Sequence, residues 1–219
     1  MPTMQYKTKD GKRVPGVTTI LSRWKESGGL LHWAWEQGRD GKDFRETRDQ
    51  AADAGTCAPA MIESDWKGIP FDRTKYQEPI LKKADHAFLA YLEWKAQTGL
   101  IIKQAELPLV SERYRFGGTM DAVIVGNSLC LGDYKTSGGI YPDYLLQVAG
   151  GYAILWNEHF PDQPLHGVHI LRFSKPKEDD DPISFHHHFW SAEVFGLCQE
   201  QFLRLRDAYD LDKRIAKLV

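Results

Sequence analysis

The change of hydrophobic period at Gly99 constrains this chain more than any other feature. From Pro79 to Gly99, apolar residues recur every three to four positions at Leu81, Ala84, Phe88, Tyr91 and Leu92, with a proline near the start and a glycine at the end. That spacing predicts an amphipathic helix with one face in a core. Beyond Gly99 the period falls towards two. Ile101 to Val110, Tyr114 to Val125 and Ser128 to Tyr134 are β-rich and separated by turn residues, Gly126-Asn127 among them, which predicts a three-strand meander. A helix from Pro142 to about His159, strands at His166 to Phe173 and Phe185 to Trp190, an acidic turn at residues 178–182 and a C-terminal helix to about residue 217 complete the order.

Upstream, Gln5-Tyr6-Lys7 and Arg13-Val14 flank an Asp10-Gly11 turn and predict a short strand or hairpin. Thr18 or Thr19 is the expected cap of a helix that Gly28-Gly29 should stop. A second helical segment starts near Leu30, and a further helix is expected over residues 56–66, with Pro59 acceptable only near its beginning. The alternation implies an α/β fold, a mixed sheet with helices packed on it. Residues 1–78 read as a mainly helical N-terminal region and residues 79–219 as the sheet-bearing core.

Charge narrows the function. With 28 Lys+Arg against 30 Asp+Glu and a formal net charge of −2, the chain cannot hold nucleic acid by bulk charge alone, although a local groove stays open to it. Cys57, Cys130 and Cys198 are isolated and odd in number, so neither a disulfide framework nor a four-cysteine metal site is expected. No run approaches the roughly 20 apolar residues of a membrane span, and the first residues lack a secretion signal, so a cytoplasmic protein without a membrane partner is the expectation.

Chemistry concentrates in the meander, at Glu106, Asp121, Asp133 and Lys135. If the second and third strands are joined at Gly126-Asn127, Asp121 faces Asp133 across the pair, and alternation puts Asp133 and Lys135 on one face. Carboxylate oxygens converging there suit a hard Mg²⁺ or Mn²⁺ ion, and the Tyr134 carbonyl is a further oxygen ligand. Such an ion polarises a phosphate and activates water, while Lys135 orients that water or stabilises developing negative charge. Glu106 either completes the metal shell or holds a water. A D-x-K triplet by itself is common as a surface ion pair, so its context decides.

That context is Gly117-Gly118-Thr119-Met120-Asp121, a hairpin, Gly132-Asp133-Tyr134-Lys135-Thr136-Ser137, then Tyr144 and Gln147 in a helix. It resembles the PD-(D/E)XK nuclease superfamily, within it the RecB-like and phage exonuclease branch. The resemblance implies a restriction-endonuclease-like core with a helical N-terminal extension. It assigns metal binding and catalysis to Asp121, Asp133 and Lys135, a supporting acid to Glu106, and a catalytic or DNA-contacting role to Gln147, with Thr136 and Ser137 as the residues that follow the lysine. It further implies a DNA exonuclease acting at ends in phage or plasmid replication, recombination or repair, with DNA and a recombination or replication protein as partners. The alternatives are a catalytically weak DNA-binding or assembly protein that keeps the nuclease fold, and a structure-specific endonuclease. The likeness reaches upstream through Val14-Pro15-Gly16-Val17-Thr18-Thr19-Ile20-Leu21 and Gly55-Thr56. It departs from the family at Pro59, where a metal-binding histidine is usual, and at Tyr152, five residues after Gln147 where the family has its aromatic at four. At about 100° per residue an α-helix carries Tyr152 off the expected face, which leaves it a core-packing role.

Outside the meander, His186-His187-His188 read as a polar strand. Residues 179–181, three aspartates, read as a solvated turn, with Lys175 and Lys177 before it. Trp24, Trp33, Trp35 and Trp66 lie among Arg23, Lys25, Arg39, Lys42, Arg45 and Arg48. Rings of that kind stack bases while cations follow a backbone, or else pack between helices. Arg23, Lys25 and Arg45 are the nucleic-acid-binding candidates.

Overall fold

The computed structural model describes residues 5–25, 28–41, 43–137, 139–173 and 182–218, with the backbone alone at residue 30 and residues 44–55. Residues 178–181 of the acidic turn and their neighbours Lys175 and Lys177, together with the side chain of Arg45, lie outside the described residues.

The chain opens with a two-residue hairpin, β1 (Tyr6–Lys7) paired to β2 (Arg13–Val14), turned through Gly11 at φ 80°. Helix α1 (Val17–Ser22) follows, with Gly16 at its N-cap and no side-chain cap, so neither Thr18 nor Thr19 has the expected role. It ends before the glycines meant to stop it. Arg23 and Trp24 close its last turn with bonds back to Ile20 and Leu21, the tight i to i+3 ending common at helix termini. Gly28 then begins α2 (Gly28–Arg39).

Helix α3 (Phe44–Lys67) starts well upstream of residue 56 and carries Pro59 in its interior. An interior proline costs about 3 kcal/mol. Cys57, Ala58, Met61 and Ile62 around it are buried against α4 (Glu78–Thr98), and tertiary packing of that face outweighs the local penalty. Helix α4 matches its periodicity. Ile80, Leu81, Ala84, Ala87, Tyr91 and Trp94 are buried, Pro79 sits in the first turn, and Gly99 ends the helix at φ 63°, a conformation favourable to glycine.

The main sheet has the order β3-β4-β5-β6-β7. Strands β3 (Ile101–Ser111), β4 (Phe116–Val125) and β5 (Leu129–Lys135) form the antiparallel meander. The chain then crosses over through α5 (Pro142–Leu145), a π-helical segment (Leu146–Tyr152) and α6 (Ala153–His159) to β6 (Gly167–Phe173), which lies parallel to β5. Strand β7 (Phe185–Ser191) pairs antiparallel with β6, and α7 (Phe195–Ile215) closes the fold. Two apolar clusters cover the two faces. Val17, Ile20, Phe116, Met120, Val148 and Phe202 meet on one; α3 and α4 cover the other, against Ala122, Ile124, Tyr134 and Phe173. This is the mixed α/β architecture with flanking helices. No helix among the described residues is long and apolar enough to cross a membrane.

The meander has one irregularity that matters. Phe116 and Met120 of β4, and Leu107 and Leu109 of β3, pack on the first cluster, whereas Ala122 and Ala105 two residues further along their strands belong to the second. Strict alternation would keep residues two apart on one face. Both strands therefore change face at one level, at Asp121 and at Glu106, whose φ is 50°. A non-glycine residue in that left-handed region costs on the order of 1–3 kcal/mol and marks strain held by its surroundings.

Candidate active site

The hairpin register builds the site. Strands β4 and β5 pair from Val125↔Leu129 to Ala122↔Gly132, so the next residues along, Asp121 and Asp133, come to lie side by side. The ladder stops there because the Tyr134 backbone N–H donates to Asp121 Oδ2 at 3.0 Å. On the other side Ala105↔Ala122 and Leu107↔Met120 bring Glu106 level with Asp121. Three carboxylates from three consecutive strands thus share one level of the sheet. Among the described residues no three His, Cys, Asp or Glu side chains close into a preformed metal cluster.

Asp133 is fully buried. Its Oδ2 lies 2.5 Å from Lys135 Nζ, yet no hydrogen bond of good geometry reaches that oxygen. Its Oδ1 accepts from Gln147 Nε2 at 3.3 Å, and Gln147 Oε1 accepts from Lys135 Nζ at 3.3 Å. One amide therefore holds both members of the ion pair. The ammonium also stands 4.9 Å above the Tyr144 ring, a favourable seat for a cation.

The electrostatics follow from burial and crowding. Burial first, and the neighbouring Asp121 charge second, push the Asp133 carboxyl well above the usual aspartate range despite Lys135. For Lys135 burial opposes the charge, but Asp133 and Asp121 outweigh it and raise its pKa, so it stays an ammonium. Glu106 keeps much of its surface exposed, but the protein packed around its carboxyl, and then the Asp121 charge, push it up to about 7.

Tyr152 is where the helical wheel fails. Leu146–Tyr152 is wound as a π-helix, whose hydrogen bonds run from i to i+5 and whose wider turn brings residues five apart closer to one face than an α-helix does. Tyr152 therefore returns to the face of Gln147, whose Nε2 donates to its hydroxyl at 2.8 Å. The ring lies against β4 at Gly118, where a Cβ would come within 2.7 Å of it. The readable signal was Gly150-Gly151, which a helix interior disfavours unless a close approach needs them; a Cβ on either would collide with α7 or Val17. Tyr152→Phe is expected to cost about 1–3 kcal/mol, the usual penalty for a buried N–H left unpaired, read as a lower urea midpoint at unchanged slope.

The remaining candidates divide. Thr136 and Ser137 are half-buried directly after Lys135, with Ser137 donating to the Gly139 carbonyl at 2.8 Å. Arg23 is ion-paired to Asp212 of α7, and Lys25 to Asp143 at 2.8 Å. The Lys25 pair fixes α1 beside the helix that carries Gln147. Trp24 and Trp35 are exposed, with Arg39 stacked over Trp35 at 5.2 Å, whereas Trp66 donates its indole N–H to the Ile102 carbonyl. Of the histidine run, His187 meets His169 at 2.7 Å, a cross-strand pair that the triplet did not announce.

No protein-family model matches the sequence, and comparison with curated proteins finds no match. Among solved structures the chain is similar to an alkaline exonuclease from Laribacter hongkongensis at 14% identity and TM-score 0.37, covering 74% of this chain and 84% of that one. The same exonuclease in complex with dAMP aligns at 15% identity and TM-score 0.36, over 78% of this chain and 92% of its own. A chain from Eubacterium rectale aligns at 13% identity and TM-score 0.39, over 84% and 69%.

Proposed function

We propose that this chain is a divalent-metal-dependent deoxyribonuclease that hydrolyses phosphodiester bonds at DNA ends. The observation that carries the proposal is Asp133, fully buried beside Asp121, with the Lys135 ammonium 2.5 Å from its Oδ2. Three carboxylates at one level, Glu106 among them, outnumber that ammonium, and burial makes their unbalanced negative charge costly. A hard divalent cation would balance it, so the donor set fits Mg²⁺ or Mn²⁺.

In this reading Asp121, Asp133 and the Tyr134 carbonyl hold the ion, and Glu106 completes the shell or holds a water by hydrogen bond. When bound, the ion supplies positive charge against the scissile phosphate and makes water easier to deprotonate. Lys135, kept protonated by its two aspartates, offsets the negative charge that grows on the phosphoryl oxygens as water adds and the ester P–O bond breaks. Gln147, itself held by Tyr152, keeps the lysine and Asp133 in register. In the same reading Thr136 and Ser137 contact the DNA backbone, and residues 1–78 shape access to the site. DNA replication, recombination or repair in a phage or plasmid is the setting we propose.

Pro59, standing where the resembling family has histidine, favours a second reading, a DNA-binding protein with little or no cleavage. Labelled linear and covalently closed circular DNA, each incubated with Mg²⁺ or Mn²⁺, separate the readings. Degradation of the linear form with the circle intact is the expected result. Opening of the circle would overturn the need for an end, and tight binding with no cleavage of either would establish the second reading.

A further inference from the structure

We infer that the cavity between the β1–β2 hairpin, α1 and the end of α7 is a subsite for a backbone phosphodiester of the nucleic-acid strand, apart from the phosphate that reacts. The inference rests on the nuclease reading. The cavity measures about 340 Å³ and is lined by Arg13, Lys213, Thr18, Thr19, Tyr6 and Tyr209 among others, with no carboxylate in its wall. That composition stands out in a chain whose acids outnumber its bases.

Among the described residues, Lys7, Lys9, Arg214 and Lys217 nearby also lack an ion pair but do not line the cavity, so what sets Arg13 and Lys213 apart is an unpaired charge in its wall. Lys12 and Arg115 are paired to Asp10, Arg23 to Asp212 and Lys25 to Asp143. Arg13 and Lys213 have no acidic partner among the described residues, and both face the cavity. Lys213 is not loose, because its ammonium sits 4.8 Å above the ring of buried Tyr209. Two free cations and two threonine hydroxyls suit an anion with several acceptor oxygens. The tyrosine rings, with Val14 and Pro15, add apolar wall, which a sugar-phosphate uses and a free inorganic anion does not. The volume lies at the small end of the roughly 300–1,000 Å³ range of ligand sites, enough for one nucleotide unit of a longer strand.

The cavity is also joined to the carboxylates. Tyr6 hydrogen-bonds through its hydroxyl to Thr119 Oγ1 at 2.9 Å, two residues before Asp121. Thr18 lines both this cavity and a second of about 210 Å³ that contains Lys25, Tyr144 and Gln147. Gln147 in turn binds Asp133 and Lys135. The two cavities thus share Thr18 in their walls, which puts a phosphate at Arg13 and Lys213 on the side of α1 next to the reacting centre.

The test is fluorescence anisotropy of a labelled single-stranded oligonucleotide bound to the full chain in EDTA, titrated over NaCl concentration. Each phosphate neutralised on a single strand contributes about 0.7 to the slope of log affinity against log salt. Arg13→Gln with Lys213→Gln is expected to reduce that slope by about 0.7 to 1.4, while Lys103→Gln, on the far edge strand, leaves it unchanged. An unchanged slope in the double variant overturns the inference. So does competition by inorganic phosphate that is as effective, mole for mole, as unlabelled oligonucleotide, since that marks a free-phosphate site. A reduced slope in a protein that cleaves no DNA would retain the subsite and overturn the nuclease reading; normal metal-dependent cleavage with an unchanged slope would do the reverse.

Discussion

Asp133→Asn is expected to lower metal-dependent cleavage about a thousandfold or more, and to remove a loss of stability that the native chain suffers as pH rises from 4 to 7. The side chains are nearly isosteric, and an amide keeps the hydrogen bond to Gln147 but loses the anionic oxygen that would hold the cation. The stability half follows from the direction of the shift. The Asp133 carboxyl is raised above its value in an unfolded chain, about 3.9, by burial and by Asp121. A carboxyl so raised contributes its stability below the unfolded value and loses it as pH climbs through the folded one. At neutral pH the buried charge is therefore a cost that asparagine removes. The urea midpoint of the variant relative to the native chain, both without metal, should rise between pH 4 and pH 7, on top of a constant offset from the lost Lys135 ion pair. A difference that does not move with pH would show that the Asp133 carboxyl is not raised.

Lys135→Ala is the second large effect. We expect kcat to fall by about 10²- to 10³-fold with KM little changed, because an ammonium that opposes charge formed in the transition state contributes there and not to ground-state binding. Removing one member of a buried pair commonly costs about 3–5 kcal/mol. Here the carboxyl left behind is already biased towards its protonated form, so a loss below about 3 kcal/mol is expected, smaller at pH 5 than at pH 8. Lys135→Arg should not restore full rate, since a planar guanidinium cannot occupy a seat shaped by Gln147 and Tyr144 for a compact ammonium. A proportional rise in KM with kcat preserved would place Lys135 in substrate binding alone.

Much of this geometry was readable from residue order. The period change at Gly99, the Gly126-Asn127 turn and the distance from that turn to the two aspartates determine which residues face each other, and the register follows that arithmetic. The same pattern implied a mixed sheet, but the position of β6 beside β5 and its parallel direction come from the structure. Three things were not legible, each for a physical reason. Pro59 lies inside α3 because burial against α4, invisible to local propensity, offsets the missing hydrogen bond. Tyr152 reaches Gln147 because the helix is locally π-wound, and a fixed 100° step cannot anticipate that. The change of face at Glu106 and Asp121 depends on two strands twisting together, which neither strand's alternation shows alone. Residue type singles out Arg23 and Lys25 as cations for DNA but cannot show their carboxylate partners, Asp212 and Asp143, nor that Arg13 has none among the described residues.

The central claim is that the Asp121, Asp133 and Lys135 constellation hydrolyses DNA with a divalent ion. Its most direct test is the single-turnover rate of release from end-labelled linear DNA, with Mn²⁺ or with EDTA, for the native chain beside Asp121→Asn. Release by the native chain is expected to require Mn²⁺ and to fall at least about a hundredfold in the variant. Equal rates in the two proteins, or release that persists in EDTA, would contradict it.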